Sequence, residues 1–383
     1  MHGFLSFAES QREWVLEQVK ALVRLESPSV EKAAVDRCGD ALAATLTALG
    51  ADVQHFVQRE RGNHVRAEFD GNGAPILLLG HFDTVWSVGQ LERMPLQEKD
   101  GRLYGPGIFD MKAGIGVAML AVRTLRRELD ATATPRIVML WTSDEEVGSG
   151  TSRPIIEAEA RRSRAVLVLE PSLPGGAAKT TRKGCGDFVL TVHGVSAHAG
   201  IDPGRGANAV HELARQIVAI QALEDTDRGV SVNVNVVSGG TRTNVIPEQA
   251  RAHVDVRTPT AADARSIYDA LNGLRASIPG TRLELSGGFG RPPLERTSQV
   301  IRLYEKARRV AEQLGHELRE GGTGGGSDGN FTAALGVPTL DGLGPQGEGA
   351  HALHEHVVVS DLPWRAAFLA ALLVDLAREN EVK

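Results

Sequence analysis

The 383-residue sequence is 42% hydrophobic, which is enough apolar material for a large core, and its length favours one large domain joined to a smaller one. A formal charge of −6 and the lack of a Lys/Arg-rich run argue against nucleic acid as a partner, and no apolar run reaches the length of a membrane span. With no basic, then apolar, N-terminal stretch, and only Cys38 and Cys185 as thiols, a cytoplasmic protein in a reducing compartment is expected.

Ser10 followed by Glu13 reads as a capping box, and Trp14, Val15, Val19, Leu22 and Val23 then recur at helical spacing. The chain is therefore expected to open on one amphipathic helix. A second helix carries Ala41, Leu42, Leu46 and Leu49 and stops at Gly50. Continuous apolar runs follow, "ILLLG" from Ile76, "IVML" from Ile137 and "VLVL" from Val166, separated by a helical stretch from Met111 to Leu125. Runs without alternation predict strands buried on both faces of a mostly parallel sheet between helices, the α/β class.

From about residue 182 to 290 the pattern changes to alternation. "VSVNVNV" sets Val230, Val232, Val234 and Val236 on one face, and "ARAHVDVR" sets Arg251, His253, Asp255 and Arg257 on one polar face. With "DFVLTVHG", helices over 207–223 and 264–278 and "RLELS", the order is β-α-β-β-α-β, an inserted α+β domain of split-βαβ, ferredoxin-like type. A helix over 300–314, a glycine cluster and a last helix with Leu369, Leu373 and Leu376 read as the first domain resuming, giving boundaries 1–181, 182–290 and 291–383.

Ligands bind outside the carboxyl ends of strands in sheets of this kind, and there the sequence is consistently acidic or imidazole. His81 and Asp83 follow "ILLLG"; Asp144, Glu145 and Glu146 follow "IVMLWTS"; Glu170 follows "VLVL"; Asp110 opens a helix, and His351, His354 and His356 crowd the C-terminal "GEGAHALHEH". Any one of these acids could cap a helix or face water. Converging together, they would repel one another unless cations were bound.

"GHFDTV", "GPGIFDMKAG", "TSDEEVGSGTS", "LEPS", "GVSAHAG" and "GGTRTNVIP" resemble, in that order, the motifs of the co-catalytic zinc exopeptidases, which include glutamate carboxypeptidase, acetylornithine deacetylase, succinyl-diaminopimelate desuccinylase and aminoacylase. The phrasing is most similar to the glutamate carboxypeptidase branch. The resemblance implies two Zn2+ per subunit, with Co2+ or Mn2+ as substitutes, bridged by Asp110; His81 and Glu170 complete one metal's shell, and Glu146 and His351 the other, His354 being the competing choice. Imidazole and carboxylate suit zinc. Asp83 would orient His81, and Glu145 would carry the proton from water to the leaving nitrogen. His198 would stabilise the oxyanion in the partner subunit's site, implying a homodimer through the inserted domain. Asn244 and Arg257 would hold the substrate carboxylate.

The run "GGTGGGSDGN" lacks the lysine and spacing of a phosphate loop, so Gly325, Gly326 and Ser327 are read as letting backbone amides approach the substrate. Gly204 and Arg205 depart from the acidic residue common in that turn, and "HELAR" has Arg215 where a His-Glu-x-x-His helix needs histidine. The expected activity is hydrolysis of an amide in a small peptide or N-acyl amino acid, releasing a C-terminal amino acid, carboxypeptidase fashion. The alternatives are an N-acyl-amino-acid deacylase and a non-catalytic carboxylate-binding homologue, which would be expected to lack Glu145 or a ligand.

Overall fold

The computed structural model describes residues 2–130 and 133–378. They form two compact units: the first comprises the chain up to Thr180, Arg296–Gly322 and the residues from Ser327 on; the second comprises Thr181–Glu295 and Thr323–Gly326. The four-residue return to the second unit has a local cause. Lys183 N–H donates to the Thr323 carbonyl, and Arg182 Nη1 donates to the carbonyls of Gly325 and Gly326.

The first unit is built on a six-stranded sheet in the order Asp52–Phe56, His64–Phe69, Pro135–Thr142, Asn72–His81, Ala165–Val168, Thr339–Leu340. The last four are mutually parallel, and His64–Phe69 alone runs against its neighbours, antiparallel both to Pro135–Thr142 and to Asp52–Phe56. Both faces of the central strands are buried, as their unbroken apolar runs require. Ile76, Leu78, Ile137 and Met139 pack into the larger core with helices Arg12–Arg24, Ala113–Glu128 and Asp361–Ala377. Their neighbours Leu77, Leu79, Val138 and Leu140 pack on the other face with Ile156, Ala160 and Phe331.

The opening segment differs from expectation. It forms two helices, His2–Ser10 and Arg12–Arg24. Ser10 ends the first, its hydroxyl donating back to the Phe7 carbonyl, instead of capping the second. Helical periodicity marked the buried Val15, Val19, Leu22 and Val23 correctly, but a Ser-x-x-Glu pattern does not tell which backbone group the serine takes.

The second unit is a four-stranded antiparallel sheet in the order Ser231–Gly239, Gln249–Thr258, Gly184–His193, Arg282–Arg291, with helices Ala209–Gln221 and Ala261–Asn272. Phe188, Leu190, Val232, Val254, Leu213 and Ile267 share its core. The second helix begins and ends earlier than the sequence suggested, because Thr260 caps it by accepting from Asp263 N–H and Gly273 follows it. Val236 is also displaced from its expected face. The register shifts between Val234 and Val236, and Val236 and Val237 are both exposed on this edge strand.

Candidate metal centre

Strand Asn72–His81 ends on the first site residue. A Cβ at Gly80 would lie 2.4 Å from Met111 Cε, so glycine lets the turn carrying Asp110 come against the strand end. His81 is buried there, and its Nε2 stands 3.1 Å from Asp110 Oδ1 and 3.4 Å from Glu170 Oε1. Asp110 lies in the turn Ile108–Lys112, where it leaves helical geometry (φ −114°, ψ 94°) and the Asp110–Met111 peptide is cis. Its other oxygen, Oδ2, is 3.4 Å from His351 Nε2, and that nitrogen is 3.3 Å from Glu146 Oε1. His351, and not its neighbour His354, is thus the C-terminal histidine set against these carboxylates, held at a positive φ of 60° that non-glycine residues adopt only at a cost of about 1 kcal/mol or more.

His81, Asp110 and Glu146 each offer one ligand atom, all within 4.8 Å of one another. Imidazole nitrogen and carboxylate oxygen at this spacing fit a divalent cation of the zinc kind. Bare, the cluster shares protons. Burial opposes charge on His81, but Asp110, Asp83 and Glu170 outweigh it and raise its pKa well above 6.5. Asp110 and Glu146 push His351 up to about 10. Burial raises Glu146 above its usual value, whereas the two histidines hold Asp110 below its own despite its burial.

Asp83 is fully buried and works through what it fixes. Its Oδ1 lies 3.4 Å from His81 Nδ1, which is also 3.0 Å from its backbone carbonyl. Its carboxylate accepts the backbone N–H groups of Glu145 and Glu146, each at 3.2 Å, and the Ser29 hydroxyl at 2.7 Å. One carboxylate therefore sets both the imidazole and the turn Glu145–Val147.

Several residues support the site; of these, Asp144 stood among the strand-end acids, and the others were given no role by the sequence reading. Glu355 is buried and accepts from Gly107, Phe109 and Asp110 N–H and from Trp86 Nε1, at 2.9 to 3.0 Å. His64 holds both ends of the segment bearing Glu145 and Glu146: its Nδ1 accepts from Ser143 N–H, and its Nε2 is 3.0 Å from Thr151 Oγ1. Asp144 Oδ2 accepts from both Thr151 N–H and its hydroxyl at 2.7 Å, closing the segment on itself. Lys112, buried, donates to the Leu22 and Leu25 carbonyls and ties the Asp110 turn to helix Arg12–Arg24. The one sequence signal available was the Glu in "HALHE"; nothing in a strand sequence singles out His64.

Gly326 and Ser327 are engaged locally, whereas a Cβ at Gly325 would meet nothing within 4 Å. A Cβ at Gly326 would meet Arg291 Cδ at 2.9 Å and Cys185 Sγ at 3.1 Å, so this glycine serves close packing. Ser327 is fully buried, with its hydroxyl donating to Asp341 and its N–H to Asn330, which leaves neither for a substrate. In the second unit Arg257 gives Nε and Nη2 to Asp255 at 2.7 to 3.1 Å, so the forked edge expected to meet a substrate carboxylate is occupied. His198 pairs with Val245 across a short two-stranded ladder, and the Asn244 carbonyl accepts from Ala199 N–H, so these two motifs adjoin. His198 Nδ1 accepts from Gly200 and Ile201 N–H, which puts the ring proton on Nε2.

The pattern of Peptidase family M20/M25/M40 matches residues 77–375. Carboxypeptidase G2 from Pseudomonas sp. (strain RS-16) is 28% identical over 377 residues, 96% of this chain and 91% of that protein. A succinyl-diaminopimelate desuccinylase from Thiobacillus denitrificans (strain ATCC 25259 / T1) is 31% identical over 369 residues, 90% of this chain and 91% of that one. The fold is shared with aminopeptidase PepT from Bacillus cereus ATCC 10987, at TM-score 0.79, 21% identity, and 96% and 99% coverage. It is shared too with an M20 family metallo-carboxypeptidase from Sulfolobus solfataricus, at TM-score 0.72, 18% identity, and 95% and 99% coverage. Among the described residues no helix is long and apolar enough to cross a membrane. A cluster of imidazole and carboxylate ligands at the carboxyl ends of a partly parallel sheet, in a chain matched over most of its length, makes this protein a metal-dependent amide hydrolase belonging to peptidase family M20/M25/M40.

Proposed function

We propose that the chain binds two Zn2+ per subunit, with Co2+ or Mn2+ able to substitute, and cleaves a small peptide or N-acyl amino acid to release its C-terminal amino acid. The observation that carries this is the division of Asp110: Oδ1 faces His81 beside Glu170, and Oδ2 faces His351 beside Glu146. One carboxylate between two imidazole-carboxylate pairs would suit two cations, with His81, Glu170 and Asp110 available to hold one and Glu146, His351 and Asp110 the other. Such a pair would polarise the scissile carbonyl and lower the pKa of water.

The remaining steps belong to side chains. Glu145, whose backbone Asp83 fixes, accepts the proton of the attacking water and delivers it to the leaving nitrogen. His198, with its proton on Nε2, donates to the developing oxyanion in the partner subunit's site. Asn244 holds the substrate carboxylate, and Arg257 joins it by exchanging Asp255 for the substrate. In support, carboxypeptidase G2 is a relative over nearly the full chain. The relatives named desuccinylases favour a second reading, an N-acyl-amino-acid deacylase using the same centre.

Liquid chromatography of N-acyl amino acids and dipeptides incubated with the zinc-loaded protein should show the free C-terminal amino acid. Amidation of the substrate carboxylate should reduce kcat/KM by at least about 100-fold, because polar groups built to bind it are left unpaired. Equal cleavage of acid and amide would rule out the carboxypeptidase assignment.

Homodimerisation through the inserted domain is supported by its edge strand Ser231–Gly239, which exposes Val236 and Val237, and by Val218, exposed on helix Ala209–Gln221. Sedimentation velocity should give a dimer for the wild type and a monomer for Val237→Lys. A monomeric wild type at micromolar concentration would discard the dimer and the role given to His198.

A further inference from the structure

Glu145 and Glu146 share one turn, and the segment around it leaves the end of strand Pro135–Thr142 and runs into helix Arg153–Arg162. Backbone bonds close the turn on itself: Gly148 N–H donates to the Glu145 carbonyl at 2.9 Å, and Ser149 N–H to the Asp144 carbonyl at 2.8 Å. These bonds fix its shape but not its place against the sheet. Two buried side chains from distant parts of the same unit fix that, and each takes hold of both legs of the segment. Asp328 accepts from the Thr142 hydroxyl at 2.9 Å on one leg and from the Ser149 hydroxyl on the other. His64, the first residue of strand His64–Phe69, is bonded to Ser143 on one leg and to Thr151 on the other.

The histidine bonds have one consistent direction. Ser143 N–H can only donate, so Nδ1, at 3.2 Å, presents its lone pair and the ring proton is on Nε2. Nε2–H then donates to Thr151 Oγ1 at 3.0 Å, and that hydroxyl donates in turn to Asp144 Oδ2 at 2.7 Å. An ordered line of bonds thus joins the strand to both legs and ends on the residue before Glu145. Burial lowers the pKa of His64 against the pull of Asp144, Asp328 and Asp83, which keeps the imidazole neutral at neutral pH. A buried imidazole bonded through both nitrogens resists rotation, because each bond lost would leave a polar atom without a partner or water. Arg66 makes a useful contrast. It stands on the same face of the same strand, and its Nε meets Glu159 Oε1 at 2.9 Å on helix Arg153–Arg162.

We infer that His64 is a positioning residue for hydrolysis: by tying Ser143 to Thr151 it holds Glu145 where that side chain can take the proton of the attacking water. The imidazole acts through the turn and not on the substrate. A misplacement of about 1 Å at a catalytic group costs about 100-fold in rate, so two bonds away from the chemistry are enough to control it. This rests on the proton-transfer role proposed for Glu145 and adds the group that sets it in place.

The test follows zinc-saturated full-length protein with the N-acyl amino acid or dipeptide that the wild type turns over fastest. His64→Leu should lower kcat by about 30-fold or more while KM changes by less than about threefold. His64→Asn, whose amide oxygen lies near the position of Nδ1 and can accept from Ser143 N–H, should recover at least about fivefold of that loss. Arg66→Met, which cuts an ion pair on the same strand face, should lower Tm and leave kcat within about twofold. In a Glu145→Gln background, His64→Leu should change kcat by less than about threefold, because the group it positions is gone.

A wild-type kcat in His64→Leu overturns the assignment, as does an undiminished loss in the Glu145→Gln background. So does a fall in Arg66→Met as large as that in His64→Leu, since damage to the strand would then account for both. Should His64→Leu fail to fold, Thr151→Val decides: it cuts the Nε2 bond from the other side and should lower kcat by about tenfold, and a wild-type value overturns the assignment. Full activity in Glu145→Gln alone overturns the proton-transfer reading, and the role of His64 falls with it.

Discussion

Replacement of Glu145 by Gln is expected to lower kcat by about a thousandfold or more while leaving the metal content of the protein unchanged. Glutamine keeps the size of the side chain and cannot accept a proton from water at neutral pH. The backbone of the turn is set by the Asp83 carboxylate, which takes the N–H groups of both Glu145 and Glu146, so the substitution has no reason to move the neighbouring ligand. Elemental analysis of the purified variant beside its steady-state kinetics separates the two possibilities. Full activity removes Glu145 from the proton path, and a loss of metal makes it a ligand.

Metal affinity is expected to climb steeply with pH, by about tenfold per pH unit for each proton the cation displaces. The sign follows from the histidines. Without a cation, His351 has its pKa raised to about 10 and His81 well above 6.5, so both carry a proton at neutral pH where a metal needs a lone pair. Affinity therefore rises as the solution is made more alkaline and levels off once pH passes the histidine values. Asp110, held below the usual carboxylate range, contributes nothing to this slope above neutral pH. Calorimetric titration of the metal-free protein with Zn2+ in buffers of different ionisation enthalpy counts the released protons. A binding constant that stays flat from about pH 6 to about pH 9 would contradict the proton-sharing described for the cluster.

What the sequence made legible was what periodicity and strand ends encode. Unbroken runs such as Leu77–Leu79 announced strands covered on both faces, and Leu77 and Leu78 do pack into different cores. The acids and imidazoles after those runs were legible because the ends of parallel strands gather residues far apart in the chain, Glu146 and His351 being 205 positions apart. Partners are another matter. Whether a serine caps or terminates a helix, whether an arginine meets a substrate or the aspartate two residues before it, and whether a glycine run faces solvent or packs on Cys185 are decided by three-dimensional neighbours. Ser29 reaches Asp83 from 54 positions away, and His64 reaches Ser143 from 79. No local pattern carries that information. The bulge that turns Val236 outward is invisible for the same reason, since a regular alternation of Val and Asn gives no sign of a shifted register.

The carboxylate of Glu355, gathering the amides of Gly107, Phe109 and Asp110 with the Trp86 indole, also orders events in time. Ribosomes deliver His81, Asp110, Glu146 and Glu170 long before His351 and Glu355. A nascent chain that has emerged only as far as Gly344 holds most of the acids but lacks one imidazole and the group that seats the Asp110 turn. Helix Asp361–Ala377, whose Phe368, Leu369 and Leu372 sit fully buried in the larger core, has also not yet been made. The unit is discontinuous in the chain, so its site cannot assemble before the segment carrying His351 and Glu355 has been made and has joined the earlier strands.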